Sequence, residues 1–224
     1  MIEIRHKTSA AVLAQVDAET LRDACFFEHD LTEADFKGIN ISGADFTLAL
    51  LRDADFSGAR CLQTNFYSAI LRGANLSDAA LGGIEAEGTD LRDVNLCRAK
   101  AHAAYLRHAC LANADLREID LTAANLAHAN LQKVDLSGSD LTETILQRTH
   151  LVGANLAGAT LKSTIFAECI TLHKALGLDQ ILHTGPSSLD QSTLRACSPD
   201  LPDVFLRGVG YSDDEVQSLR RLYS

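Results

Sequence analysis

The sequence predicts an all-β solenoid: a chain wound into stacked coils rather than folded around a globular core. Three periodic features predict it. Large apolar residues stand at Phe46, Leu51, Phe56, Phe66, Leu71 and Leu76, a spacing that fits neither a helix, at about 3.6 residues, nor a strand, at about 2. That register runs through 30 consecutive positions from Leu21 to Phe166, with only Cys61, Ala86 and Ala101 small. A second series, mostly Ala (Ala24, Ala34, Ala44, Ala54, Ala59, Ala69, Ala74, Ala79, then Ala99, Ala104, Ala109, Ala114, Ala124, Ala129), lies two residues earlier. Between the two series sits Asp or Asn, as at Asp35, Asp45, Asp55, Asn65 and Asn75.

Each residue type has a mechanical reason. The large residue and the small one two before it share a face of an extended segment, so both point inward. The Asp or Asn between them can bond backbone amides at a tight corner. Gly recurs two residues after the large one, as at Gly38, Gly43, Gly58 and Gly73, where a corner needs the positive φ that Gly accepts freely. Every five residues therefore make one short side and one corner. Phe26, Phe46 and Phe66 are 20 apart, as are Phe36 and Phe56, which predicts four sides per coil with like residues stacked. At one site a small Ala86 follows a large Ile84, a swap that is expected to keep core volume.

Residues 1–20 form the N-terminal cap. Ile2, Ile4 and the run from Val12 to Val16, separated by Lys7-Thr8-Ser9, predict a small hairpin or strand over the first coil. Residues 21–168 form the repeat rod. Residues 169–224 form a mainly α-helical C-terminal cap and connector: a helix over 169–183 interrupted at Gly177, and a final helix opened by a Ser212–Glu215 capping box. Ile165, Phe166, Ile170 and Leu172 are expected to close the last coil.

The unit A-(D/N)-(L/F)-x-x, repeated over residues 21–168, resembles the pentapeptide-repeat proteins. The resemblance implies a right-handed quadrilateral β-helix, its coils about 4.8 Å apart and its rod roughly 35 Å long. The tail "GLDQILHTGPSSLDQSTL…LPDVFLRGVG" resembles a segment that follows such repeats in multidomain bacterial proteins, ahead of effector domains such as Toll/interleukin-1-receptor-type domains. It implies either a standalone protein or the N-terminal module of a longer signalling or defence protein. The family also contains DNA mimics, the quinolone-resistance proteins that engage DNA gyrase.

Composition narrows the function. Net charge is −10, from 30 acids and 20 bases, and 20 of those acids with 13 of the bases fall in residues 21–168. Phosphate repulsion then argues against direct nucleic-acid binding. No apolar run is long enough for a membrane. The N-terminus MIEIRHKTSAAV lacks the apolar stretch of an export signal. Cys25, Cys61, Cys97 and Cys110 fall on four different faces. The chain is expected to be reduced and cytoplasmic.

No catalytic residue, cofactor or metal site is expected. His108 and His128 share an outward row with Ser68, Gly88 and Arg148, too few ligands for a metal. His29 stands in the small series and is expected to point inward. His173 and His183 accompany Cys169 and Cys197 without ligand spacing. The carboxylates read as corner residues. What remains is surface. Leu48, Leu50, Leu62, Tyr67 and Ile70 are expected to face outward near the stacked Arg52, Arg72 and Arg92, which can pair with Asp53, Asp90 and Asp93. A contiguous apolar group of this kind marks an interface. The leading reading is a non-enzymatic scaffold that binds a protein partner or its own copies as a homo-oligomer. The alternative is a DNA-mimic regulator of DNA gyrase, acting through the row Asp35, Asp55, Asp115 and Asp135.

Overall fold

A computed structural model describes residues 1–223. Its strand and helix content is low, because the main body is built from single bridged residues and turns. Parallel bridges join successive coils: Cys25 to Asp45, Asp30 to Leu50, Asp35 to Asp55 and Asn40 to Arg60, and so on to Ile145 with Ile165. These bridges fall into four columns and define four sides, called first to fourth after the columns that start at Cys25, Asp30, Asp35 and Asn40.

The corners explain why the period holds. The residue two after each large apolar one has positive φ at all 30 positions from Asp23 to Glu168. Nine are Gly and 21 carry side chains, for example Leu48 at 59° and Lys133 at 56°. A left-handed residue other than Gly costs on the order of 1 kcal/mol, so the corner is imposed by the coil rather than granted by Gly alone. The Asp and Asn side chains hold it: Oδ1 of Asp55 accepts from the Ser57 N–H at 2.9 Å, that of Asp135 from Ser137 at 3.0 Å, and that of Asn65 from Tyr67 at 2.9 Å. Between coils, backbone N–H groups donate to carbonyls above and below, as from Phe56 to Asn75 at 2.7 Å and from Asn75 to Ala54 at 2.9 Å.

The interior is dry. Both series are buried from Ile41 to Phe166. Phe26 stacks on Phe46 with ring centroids 4.7 Å apart, Phe36 on Phe56 at 4.8 Å and Phe46 on Phe66 at 5.3 Å. Where Thr replaces Ala inside, its hydroxyl can reach a carbonyl of the preceding coil: Thr64 donates to Ile41, Thr89 to Phe66, Thr144 to Leu121 and Thr164 to Leu141. The swap at Ile84 and Ala86 does not fully conserve volume. A cavity of about 20 Å³ remains there, walled by Phe66, Leu81, Ile84, Ala86, Leu91 and Ala101 among others.

His29 corrects one expectation. It is exposed, because no coil lies beneath the first one on that side, and its ring lies edge-on to Phe26 at 5.9 Å. The hairpin of β1 (Ile2–Arg5) and β2 (Val12–Val16) covers a different side. It pairs His6 with Ala34 and inserts Ile4 into the core.

The tail departs further from expectation. Residues 169–183 are not a helix. They continue the winding as a loose coil, through short 3-10 turns at Leu172–Lys174 and Leu178–Gln180. Asn155 bridges Leu176, β3 (Thr160–Leu161) pairs with β5 (Leu182–His183), and β4 (Ile165–Phe166) pairs with β6 (Ser188–Leu189). The spacing between partners is longer here than in the rod, so the sequence repeat disappears although the stacking persists. Gly177 is needed in this coil: its φ is 71°, and a Cβ would lie 2.6 Å from the Ala157 backbone N. Three helices follow, α1 (Gln191–Cys197), α2 (Asp203–Val209) and α3 (Asp213–Tyr223). Asp190 caps α1 by accepting from the Thr193 N–H, and also accepts from the Glu168 N–H of the coil, both at 2.9 Å. Phe205 of α2 packs edge-on against Phe166 at 6.2 Å and plugs the interior. Ile165 and Ile170, expected to help close this end, are exposed, whereas Phe166 and Leu172 are buried. Ser212 and Glu215 form the capping box of α3.

Two substitutions test this architecture. Leu111→Asp, at a fully buried mid-rod position, should abolish cooperative folding, because an unpaired buried charge costs several kcal/mol; circular dichroism at rising temperature reads it. Gly177→Val should lower the melting temperature by several degrees, and more than Gly58→Val, which has open space around it.

Candidate functional site

The outward column of the second side reads Asp30, Leu50, Ile70, Asp90, Cys110, Asn130 and His150. Leu50 and Ile70 occupy bridged positions where Asp or Asn would tie the corner, and both are half-buried. On the corner before this side stand Leu48 and Tyr67, 44% and 50% exposed, with Phe27 at 45%. Phe27 escaped the sequence reading, although a large apolar residue next to the core register at Phe26 is its signal. On the corner after this side stand Arg52, Arg72 and Arg92, all exposed. The apolar strip is thus bordered by an arginine ladder.

The ladder is partly paired. Arg72 Nε donates to Asp93 Oδ2 at 3.0 Å. Arg92 grips Asp90 with two bonds, at 2.8 and 2.6 Å. These bonds from Arg92 hold the Asp90 carboxyl below its usual range, against the opposing effect of partial burial. Arg52 has no ion-pair partner among the described residues; Asp53 is tied instead through its carbonyl, which accepts from Lys7 of the hairpin. Arg52, Asp53, Arg72, Gly73 and Asp93 line a shallow cleft of about 290 Å³. Leu62 is not part of this face. It stands half-buried on the corner between the fourth and first sides, beside Arg22, Ser42, Arg60 and Gln63.

The acidic row lies on the third side, through Asp35, Asp55, Asn75, Asn95, Asp115, Asp135 and Asn155. Its carboxylates are occupied. Asp35, Asp55, Asp115 and Asp135 each accept a corner N–H. Asn75 and Asn155 donate to Asp55 and Asp135 at 3.3 and 3.0 Å. Arg117 clamps Asp115 with bonds at 2.8 and 2.7 Å and holds its carboxyl below the usual range.

The histidines offer little. His108 and His128 stack with centroids 4.7 Å apart. Partial desolvation, the neighbouring His108, Arg148 and Arg107 all lower the pKa of His128, an environment hostile to a cation. No three His, Cys, Asp or Glu side chains gather in a metal-binding group among the described residues. The structure does bring His173 to Cys197, Nδ1 to Sγ 3.2 Å, and Cys169 lies close by, with Cys197 Sγ 3.4 Å from its carbonyl. Burial pushes the Cys169 thiol up to about 11 and raises that of Cys197, so neither forms a nucleophilic thiolate at neutral pH. The interior cavity is lined by no titratable group. No helix among the described residues is long and apolar enough to cross a membrane.

A coil bridged on four sides and turned at every fifth residue defines a repeat protein whose working surface is its outside. The pentapeptide-repeat family model matches it in eight copies across residues 30–170, and the chain belongs to the pentapeptide-repeat family. Among solved structures it is similar to full-length QnrB1, a plasmid-mediated fluoroquinolone resistance protein. The identity is 21%, the match covers 89% of this chain and 95% of that one, and the TM-score is 0.51; that likeness is one of fold. A pentapeptide repeat protein of the Arabidopsis thaliana thylakoid lumen is 32% identical over 42% of this chain and 66% of that chain, with a TM-score of 0.42. HetL, a pentapeptide repeat protein involved in heterocyst differentiation regulation in the cyanobacterium Nostoc, is 26% identical over 82% and 87%, with a TM-score of 0.31. No curated protein sequence matches the chain.

In the Arg117–Asp115 pair the arginine is exposed and the carboxylate half-buried, 53% and 31% by side chain, so solvent screening leaves it a small contribution. A depressed carboxyl pKa means that this contribution is full above the unfolded value of about 3.9 and fades as pH falls through the lower folded value. Asp115→Asn should therefore shift the melting temperature by only a few degrees at neutral pH, and the difference from wild type should shrink below about pH 4.

Proposed function

We propose that this chain is a non-enzymatic interaction scaffold, wound as a right-handed quadrilateral β-helix, that binds a protein partner or further copies of itself through its second side. The single observation that carries this reading is the strip of Leu50 and Ile70 with exposed Phe27, Leu48 and Tyr67 at its edge. Apolar groups collected on one face and bordered by arginines suit a protein interface, whose centre is rich in aromatic residues and Arg. The tail fits a connector role, since it closes the coil and presents α3 beyond it. A reduced, cytoplasmic setting agrees with six free thiols.

The second reading is a DNA mimic acting on DNA gyrase. The net charge of −10 favours it. Against it, the carboxylates of the third side are held in corner hydrogen bonds or clamped by Arg117, and Arg52, Arg72 and Arg92 put positive charge on the adjacent corner. An acidic field interrupted in this way matches a DNA-binding groove poorly.

The two readings separate in one set of assays. The column that holds Leu50 and Ile70 already carries Asp30 and Asp90, so the double change Leu50→Asp, Ile70→Asp should leave the fold intact by circular dichroism. In sedimentation velocity the wild-type chain should self-associate and the double variant should run as a monomer. DNA gyrase supercoiling should be unaffected by the wild-type chain. Inhibition at roughly micromolar concentration that fades with salt, and with Asp→Asn changes at residues 35, 55, 115 and 135, would instead establish the mimic.

A further inference from the structure

The joint between the last coil and the C-terminal helices contains an imidazole with nowhere to put a proton. His183 lies on β5, bridged to Leu161 of the coil beneath. Its ring is set against α2, edge-on to Phe205 with centroids 5.7 Å apart. It lies so close to Gly208 that any side chain there would overlap it. Both ring nitrogens are closed off from solvent, and neither has a hydrogen-bond partner among the described residues. The neutral ring already leaves one N–H and one lone pair unmatched. Protonation would add a second buried donor and a full charge, which a desolvated site opposes strongly.

Nothing charged nearby offsets this. From α2, Asp203 and Arg207 are engaged at the surface with Arg220 and Asp213. From the coil beneath, the Lys162 stem packs by Gly185, and its charge is of the wrong sign to stabilise an imidazolium. Asp179, in the turn at Leu178–Gln180, is exposed. On its own strand His183 has only Leu182 beside it. Burial alone pushes its pKa down, with no charged neighbour contributing. Phe205, the residue the ring supports, is also the plug on Phe166.

We propose that His183 is an acid-sensitive latch: its protonation undocks α2 and uncovers the Phe166 end of the coil. A released tail returns the ring to its ordinary value near about 6.5, so the docked form binds fewer protons. Docking is at full strength above about pH 6.5 and weakens as pH falls below it, by up to roughly tenfold per pH unit until the docked ring itself takes the proton. Asp190 responds elsewhere on the pH scale. Burial raises its pKa, but bonds from Ser192, Thr193 and the Glu168 N–H outweigh that and depress it strongly, so its contribution persists until far more acid conditions.

Hydrogen–deuterium exchange of the full chain at about pH 7.5 and about pH 5.5, corrected for intrinsic exchange, tests the latch. In the wild type, opening of residues 191–209 should rise at the lower pH, by up to roughly tenfold, with residues 61–140 unchanged. His183→Leu should remove that dependence. A tail equally protected at both pH values, or a variant that keeps the wild-type response, overturns the proposal. Should the variant fold poorly, an NMR titration of His183 in the wild type decides: a value clearly below about 6.5 is expected, and one at or above it overturns the latch.

Discussion

The left-handed corner residue is the constraint on which the rest of the molecule depends. Thirty of them in phase turn the chain at every fifth position, and four turns return it to its own column one coil higher. Most corners lack Gly, so their strain must be compensated elsewhere. The compensation is collective: each coil exchanges backbone hydrogen bonds with the next, and Asp or Asn at the preceding bridge supplies an acceptor to the turn. A single coil has neither neighbour and would not hold its corners, which is why such a rod is stable only as a stack and must be closed at both ends.

The same constraint explains where function can sit. Once every inward position is committed to packing, no cleft lined with chemistry can form inside. The outward positions are then divided between corner chemistry and recognition. Most Asp and Asn residues of the bridge columns serve the corner, as Asp55 and Asp135 do by accepting backbone N–H groups. Leu50 and Ile70 give up the corner bond. Residues that forgo a local stabilising interaction are where a surface role is to be sought, and they lie beside Phe27, Leu48, Tyr67 and the arginine ladder.

The rod was legible in the sequence because one residue type per position performs one mechanical task without interruption. Stacking of Phe26 on Phe46 and the Arg72–Asp93 pair follow from laying each coil on the next, and the Arg92–Asp90 pair follows from a two-residue step within one coil. The ends were less legible. His29 occupies an inward register, yet with no coil beneath it on that side it stays exposed, while Phe26 of the same coil is buried. Residues 169–189 keep the stacking but lose the period: Leu176 meets Asn155, His183 meets Leu161 and Leu189 meets Phe166, each further back along the chain than a partner in the rod. Their apolar spacing imitates a helix. Leu62 is half-buried on a different corner, and membership of one patch depends on which corner a residue occupies. His183 could not have been singled out, because its isolation is made by α2, an element without any repeat.

Length duplication tests the central claim most directly. Tyr105 bridges Asn125, so residues 106–125 make one full coil. A chain carrying a second copy of residues 106–125 should fold with an undiminished melting temperature, because every column stays in phase. A chain carrying a second copy of residues 106–126 shifts each later side by a single position and turns its core outward; it should lose cooperative melting. Equal stability of the two chains would contradict the account.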